Sequence, residues 1–547
     1  MFRRNTRWQI SICLSVITLL ILAGAVAAGP GFRDDPGATA YDDALTAVQV
    51  EATRYPPVTA PNGAFPVRWT VKGSTTSSET YVAWDTRTGD YHNDYANHTP
   101  SQYWWDGTFT AVLETPPGAQ AIYFKPYVVV DGTPVWGPQE HIVPVTYALN
   151  VGAPRFGMDT ISQYWNPDRE SDASPFWYEF EDGDMLEIER PIANTDDDWI
   201  YQSQRQGMSH FSAWLGPNVY EMTLQVELHL AELEDKSPGE RVFDIYLERG
   251  TPNEVVLSDV DVAALAGTDA ATVLTTTVTV NSIPDVDEHL NIEFVATEGH
   301  VPILNGLVLR GVSAVPQFLA TRTPGIGADD TYTGPTGFET DAPKVLLGGN
   351  AQYHGGLRFP AMQIPQSAVV RYAWLDVTAA DDAYMTTTLS IHAHAADSSP
   401  SFDSQASVPN RPRTEAFSPW SMPGTPWLAN RRYRSPALVD VVQEVINRSG
   451  WRQGNALSLL LIAEPGDPGP RSIWSVEGQS ESRAKIWVWY SRESDIPPPT
   501  STPTATATHT VTPSPTATAT PTVTATPTAT STPRPEIQLA LPLIIQP

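Results

Sequence analysis

Cysteine is almost absent from this chain. The single Cys13 lies inside the leading apolar run, so a chain cleaved behind that run has none. Disulfides, thiolate catalysis and thiolate metal sites are thereby excluded. Positive charge is scarce: 33 Lys+Arg stand against 62 Asp+Glu, a formal net charge of −29. Such a surface repels nucleic acid and anionic lipid headgroups. Apolar runs long enough for a bilayer are missing too. Residues 10–23 form a short one that ends in Gly and Ala, and the closing EIQLALPLIIQP (536–547) is far too short. The signatures of common enzymes are lacking: there is no G-x-S-x-G elbow, HExxH helix or phosphate loop. A glycosidase would need two carboxylates about 5–10 Å apart across a cleft. Sequence neither finds nor rejects such a pair among so many acids, and we read the chain as a non-enzyme.

What is present reads as export followed by β-structure. Arg3, Arg4 and Arg7, the apolar run and the small residues Ala25, Ala27 and Ala28 make a secretory signal over 1–28. Cleavage leaves no transmembrane segment in the mature chain. Residues 29–44 are rich in Gly, Asp and Pro and are expected to be disordered. Residues 45–146 hold short alternating runs (65–71, 80–86, 108–114, 121–130, 141–145) separated by turns such as Asp106-Gly107 and Asp131-Gly132. That spacing predicts an immunoglobulin- or fibronectin-like sandwich, without a motif that carries chemistry. The chain is organised around 220–247. Tyr220, Met222, Leu224, Val226, Leu228 and Leu230 alternate with polar residues, a strand with one buried face. After a polar turn, Phe243, Ile245 and Leu247 point inward on a second strand. Such a pair needs another sheet to cover it, so the fold class is all-β, as tandem β-sandwiches.

Over 147–315 the runs ALNVG (148–152), IYQSQR (200–205), YEMTLQVELHLAE (220–232), GERVFDIYL (239–247) and VVLSDVDVAALAG (255–267) stand in series. In order and spacing this region resembles the malectin family. The resemblance implies a jelly-roll-like sandwich that binds glucose-containing oligosaccharides without catalysis. It also places the sugar-holding side chains of the animal malectins at Gln206, at Glu234 and Asp235, and near His300 and Val301, where this chain lacks the family's aromatics and acid. Other residues offer the needed chemistry. Sugars present C–H faces that stack on rings and hydroxyls that donate to carboxylates. Tyr164-Trp165, Phe176-Trp177-Tyr178, and Asp198 with Trp199 and Tyr201 supply both types. The alternative is that these rings cap the sandwich and the Asp196–Asp198 run is a solvated turn. The candidate carbohydrate site is therefore Tyr164, Trp165, Asp198, Trp199, Tyr201, Gln206, Glu234 and His300.

Residues 316–492 open with ADDTYT (328–333) and continue through YHGGLRFPAMQIPQSAVVRYAWLDVTA (353–379), WRQGNALSLLLIAE (451–464) and a closing AKIWVWYS. This resembles the DNRLRE family of bacterial surface domains, which implies a second jelly roll and contact with cell-wall material. A helix is expected over 436–449, with Ser435 as N-cap and Gly450 as the stop. His392 and His394 share a strand face without a third ligand. Asp329-Asp330 and Asp381-Asp382 suit structural Ca2+ or plain solvated loops. No other cofactor is expected. The stretch 493–535 is a Thr/Pro-rich linker that cannot bury a core and can extend roughly 120 Å. With the terminal apolar tag, 536–547, it resembles the ends of exported Chloroflexota-type surface proteins. The sequence thus predicts a secreted surface protein. Its expected partners are polysaccharide or glycan and cell-envelope components, not nucleic acid. The competing reading is a structural or adhesion protein whose sandwiches touch proteins.

Overall fold

The alternating strand is Val219–Ala231, and Met222, Leu224, Val226, Leu228 and Leu230 are all buried on one face. Fully burying each such side chain contributes about 1.5–3 kcal/mol. The computed structural model describes residues 48–496, apart from 75–76, 105, 138, 169–177, 298–299, 404–407, 425 and 467. The expected signal, the linker at 29–44, the Phe176-Trp177 pair, nearly all of the Thr/Pro stretch and the terminal tag lie outside the described residues.

The described chain is all-β, built as successive sandwiches. In the first, a sheet of Gln49–Arg54, Ala64–Lys72 and Gly107–Glu114 faces a sheet centred on Ser78–Asp85 and Ala121–Val130. Phe65, Val67, Trp69, Val82, Phe124 and Val128 fill the space between. In the second, the strand order is Gly157–Met158, Tyr164–Pro167, Thr146–Asn150, Gly306–Pro316, Val219–Ala231, Ala271–Val280. This sheet covers a five-stranded one whose centre is His289–Ala296 and Phe243–Leu247. Phe243, Ile245 and Leu247 point into the shared core, as alternation requires. A small third sheet joins Asp184–Glu187, Ser203–Gln206 and Ile303–Leu304. In the third sandwich, Phe318–Arg322, Lys485–Ser491, Val369–Thr378 and Arg432–Arg434 face a sheet through His354–Phe359, Leu457–Ala463 and Thr387–Ala393. A helix closes its core with Val441, Val442, Val445 and Ile446.

Two local expectations change. The helix is shorter than 436–449, spanning Val439–Ile446, and Ser435 does not cap it. Its hydroxyl instead accepts the Leu375 N–H at 3.0 Å, tying the entry segment to a strand. Tyr220 leaves the core face because the pairing register shifts between Val219 and Glu221. It turns to the third sandwich, where the Arg371 guanidinium lies 3.9 Å from its ring centroid.

The sandwiches are joined by side chains, not only by the chain. Val58 and Ala60, from the first, are buried in the core of the second. Gly311 allows this approach, since a Cβ there would come within 2.1 Å of the Thr59 carbonyl oxygen. Gln317 is fully buried and donates to the Pro217 carbonyl at 2.8 Å.

Candidate functional site

Five of the eight expected residues meet around the outer face of the Val219–Ala231 sheet. The short helix Asp198–Tyr201 follows Asp197, whose carboxylate accepts from the Thr160 N–H and hydroxyl and holds the 156–164 loop beside it. Trp199 lays its ring over Gly157, where any Cβ would come within 2.3 Å of it. Trp165 is buried, donates to Asp159 at 2.9 Å and meets the His229 ring edge-on at 5.0 Å. Gly306 leaves room for that indole, since a Cβ there would lie 2.8 Å from it. Tyr201 is buried as well. Its hydroxyl shares a 2.7 Å hydrogen bond with His229 Nδ1, and burial pushes it up to about 12. The His229 imidazole, whose Nε2 lies 3.8 Å away, together with the Arg310 charge holds the Glu227 carboxyl below its usual range. Trp165 and Tyr201 therefore cover a sheet and are closed to a ligand.

Tyr164 is different. It is 47% exposed and its ring lies 5.8 Å from that of Phe156, itself 53% exposed. Met158 and Ile161 are exposed on the same loop. Asp198, half-buried, makes no side-chain hydrogen bond among the described residues. An open aromatic lip with a carboxylate on the adjoining helix is thus present, built on Phe156 and Tyr164. Sequence reasoning missed Phe156. The signal was an apolar residue in an otherwise polar loop, which period-based reading passes over.

The other three residues, Gln206 at the end of the Ser203–Gln206 strand and Glu234 and His300 on loops, gather around Arg241. This arginine of the GERVFDI run is buried. It sits 2.8 Å from the buried carboxylate of Glu232, pairs with Glu234 and donates to the Val301 carbonyl at 2.9 Å. Gln206 donates to Glu234 at 3.2 Å, and His300 accepts the Val242 N–H at 3.0 Å. Burial pushes the Glu232 carboxyl above its usual range, against the pull of the Arg241 charge. One guanidinium thus clamps three loops where the resemblance places the sugar.

The residues weighed for metals are engaged elsewhere. His394 hydrogen-bonds Ser399, and burial lowers it to about 4, while His392 stacks on Phe417. Asp329 pairs with Arg358. Asp330 accepts the Val476 N–H, and burial raises it to about 7. Asp381 binds Lys344 and Ser472, and Asp382 accepts the Ala429 N–H. Among the described residues no group of three His, Cys, Asp or Glu is placed to hold a metal ion.

Fold and site together describe a β-sandwich with an aromatic lip beside ion-paired loops. The family model described as the Malectin domain matches residues 145–306, so the second sandwich carries a malectin domain. No curated protein matches the chain. Among solved structures, a β-glucuronidase of Bacteroides uniformis is 17% identical with a TM-score of 0.26, over 48% of this chain and 30% of that one. The chain spans less than a third of that enzyme's length. The ANXUR1 extracellular domain of Arabidopsis thaliana is 11% identical with a TM-score of 0.23, over 64% of this chain and 97% of that one. The ANXUR2 extracellular domain from the same plant is 10% identical with a TM-score of 0.23, over 63% and 96%. Among the described residues no helix is long and apolar enough to cross a membrane.

Proposed function

We propose that this is a secreted bacterial surface protein that binds carbohydrate, without catalysis, through its malectin domain. The observation that carries the reading is the malectin match over 145–306 together with the open Phe156–Tyr164 pair in that same region. In this proposal the chain is divided as the sequence suggests: a spacer at 45–146, the malectin-like region at 147–315 and a DNRLRE-like jelly roll at 316–492. The Thr/Pro stretch and the tag attach it to the cell envelope. Tyr164 and Phe156 stack a sugar ring, Asp198 accepts its hydroxyls and Trp199 forms the wall. Trp165 and Tyr201 support these from beneath, while Gln206, Glu234 and His300 form a polar rim. Calorimetry of the full chain against glucose- and galactose-based oligosaccharides, with and without Ca2+, tests this. Binding weakened about tenfold by Tyr164→Ala, or about 1.4 kcal/mol, supports it.

One observation favours a second reading. The loop positions that hold sugar in the animal malectins are taken up here by the Arg241 clamp. A fold kept while its site is lost suits an adhesion or structural protein. The absence of heat with any sugar, alongside self-association that added sugar does not change, would select that reading.

A further inference from the structure

The first sandwich carries an aromatic row that its core does not need. Side chains paired across strands share a sheet face. In the sheet centred on Ala121–Val130, Tyr81 pairs with Tyr127 and Tyr127 with Trp136. All three point away from the core that the opposite face completes with Val82, Phe124 and Val128. Ring centroids follow one another at 5.6 Å from Tyr81 to Tyr127, 5.8 Å to Trp136 and 5.9 Å to Tyr91. Tyr103 joins the same face from the flanking strand, opposite Glu79. Tyr81 and Tyr127 are buried as a foundation, but Tyr91 is 61%, Tyr103 63% and Trp136 37% exposed.

The row is held in place. Glu140 accepts hydrogen bonds from the Tyr95 hydroxyl, the Thr88 hydroxyl and the Gly89 N–H, which pins the 88–95 segment over the sheet. Tyr91 and Trp136 also meet edge-on at 82°, so each limits the other's rotation. The polar groups among the rings include the carboxylates Glu79 and Glu140 and the imidazole of His98, which stacks on Tyr81 at 5.2 Å. The lysine of this face, Lys125, is buried, with its ammonium 3.4 Å from the Asp90 carbonyl.

Ring faces interleaved with acceptors fit a ligand with apolar C–H faces and donating hydroxyls. The charge of −29 turns away polyanions. At about 4.8 Å between strands, the face is roughly 14 Å wide, enough for a short run of sugar rings. The geometry points to a second binding surface in this protein, for a neutral polysaccharide chain lying across the outer face of the first sandwich. It is independent of the malectin reading, because it uses other residues in another sandwich.

The test is retention of the full chain on insoluble cellulose, xylan and mannan, with Trp136→Ala, Tyr103→Ala and Tyr164→Ala compared. The expected result is retention of wild type on at least one of them. Trp136→Ala and Tyr103→Ala each weaken it about tenfold or more, and they do so equally in a chain that already carries Tyr164→Ala. Tyr103→Ala lies on a separate short strand, so it stands as the second variant should Trp136→Ala fail to fold. Failure of wild type to bind any of the three would overturn the proposal. So would retention lost only with Tyr164→Ala, which would assign it to the malectin domain. Self-association that Trp136→Ala abolishes, without glycan retention, would identify the occupant as a second copy and equally overturn it.

Discussion

Two sheets in this molecule carry aromatic side chains on the face turned away from the core, and they end up with opposite availability. In the malectin domain, Trp165 and Tyr201 lie over the Val219–Ala231 sheet and are closed off among Ile192, Ile200 and Leu233. In the first sandwich, the 88–95 segment covers Tyr81 and Tyr127 but leaves Trp136, Tyr91 and Tyr103 in solvent. Similar aromatic residues become core in one place and surface in the other. The difference lies in how much chain folds back across the sheet. A ring that is covered contributes to stability, and a ring left open is available to a ligand.

The comparison can be broken most forcefully at the covered rings. Trp165→Ala should destabilise by about 3–5 kcal/mol, the usual cost of emptying a buried indole site. Trp136→Ala should cost far less, and thermal unfolding of the two variants side by side reads the contrast directly. Arg241→Met should also be severe, about 3–5 kcal/mol, because Glu232 is left buried without its partner. Replacing Glu232 by Gln in the same chain should recover much of that loss. Denaturant midpoints at constant slope would check both variants.

A smaller effect of opposite sign is expected at Gln204. Its side-chain amide is buried, with no hydrogen-bond partner among the described residues. Gln204→Met should stabilise by about 1–3 kcal/mol; a destabilised variant would show that the amide serves a purpose there.

Glu248 adds a pH dependence. Burial raises its carboxyl to about 7, well above its unfolded value, so the folded state holds this proton more tightly. Its contribution is full below about pH 4.3, fades as pH rises towards about 7 and is gone above that. Glu248→Gln should remove this slope between about pH 4.3 and 7, and unfolding curves across that range would show it. The smallest effect belongs to Arg492→Gln. That side chain bridges Glu114 and Asp495 in partial exposure, and such pairs contribute about 0–1 kcal/mol.

Much of the fold was legible because alternation is a local property. The inward sets at 222–230 and 243–247 follow from neighbours two residues apart, and so does the strand at Ala121–Val130. The site was legible only as a set of residue types. Tyr164 and Trp165 are adjacent in sequence and read alike, yet strand pleating sends one into solvent and the other under a helix. Phe156 gave no periodic signal at all. Gln206, Glu234 and His300 were placed by resemblance, and nothing local announced that Arg241 would engage a carbonyl 60 residues away.

By itself, then, the amino-acid sequence determined the strand-built class of the chain, its acidity, its lack of disulfide chemistry and which faces of its main strands are apolar. These depend on composition and on spacing along the chain. The tertiary structure decided which aromatic rings stay open, that Tyr220 serves a seam instead of a core, and that Val58 and Ala60 complete the malectin core from another sandwich. Those outcomes depend on which distant segment folds over which sheet, and that is set by contacts between residues far apart in sequence.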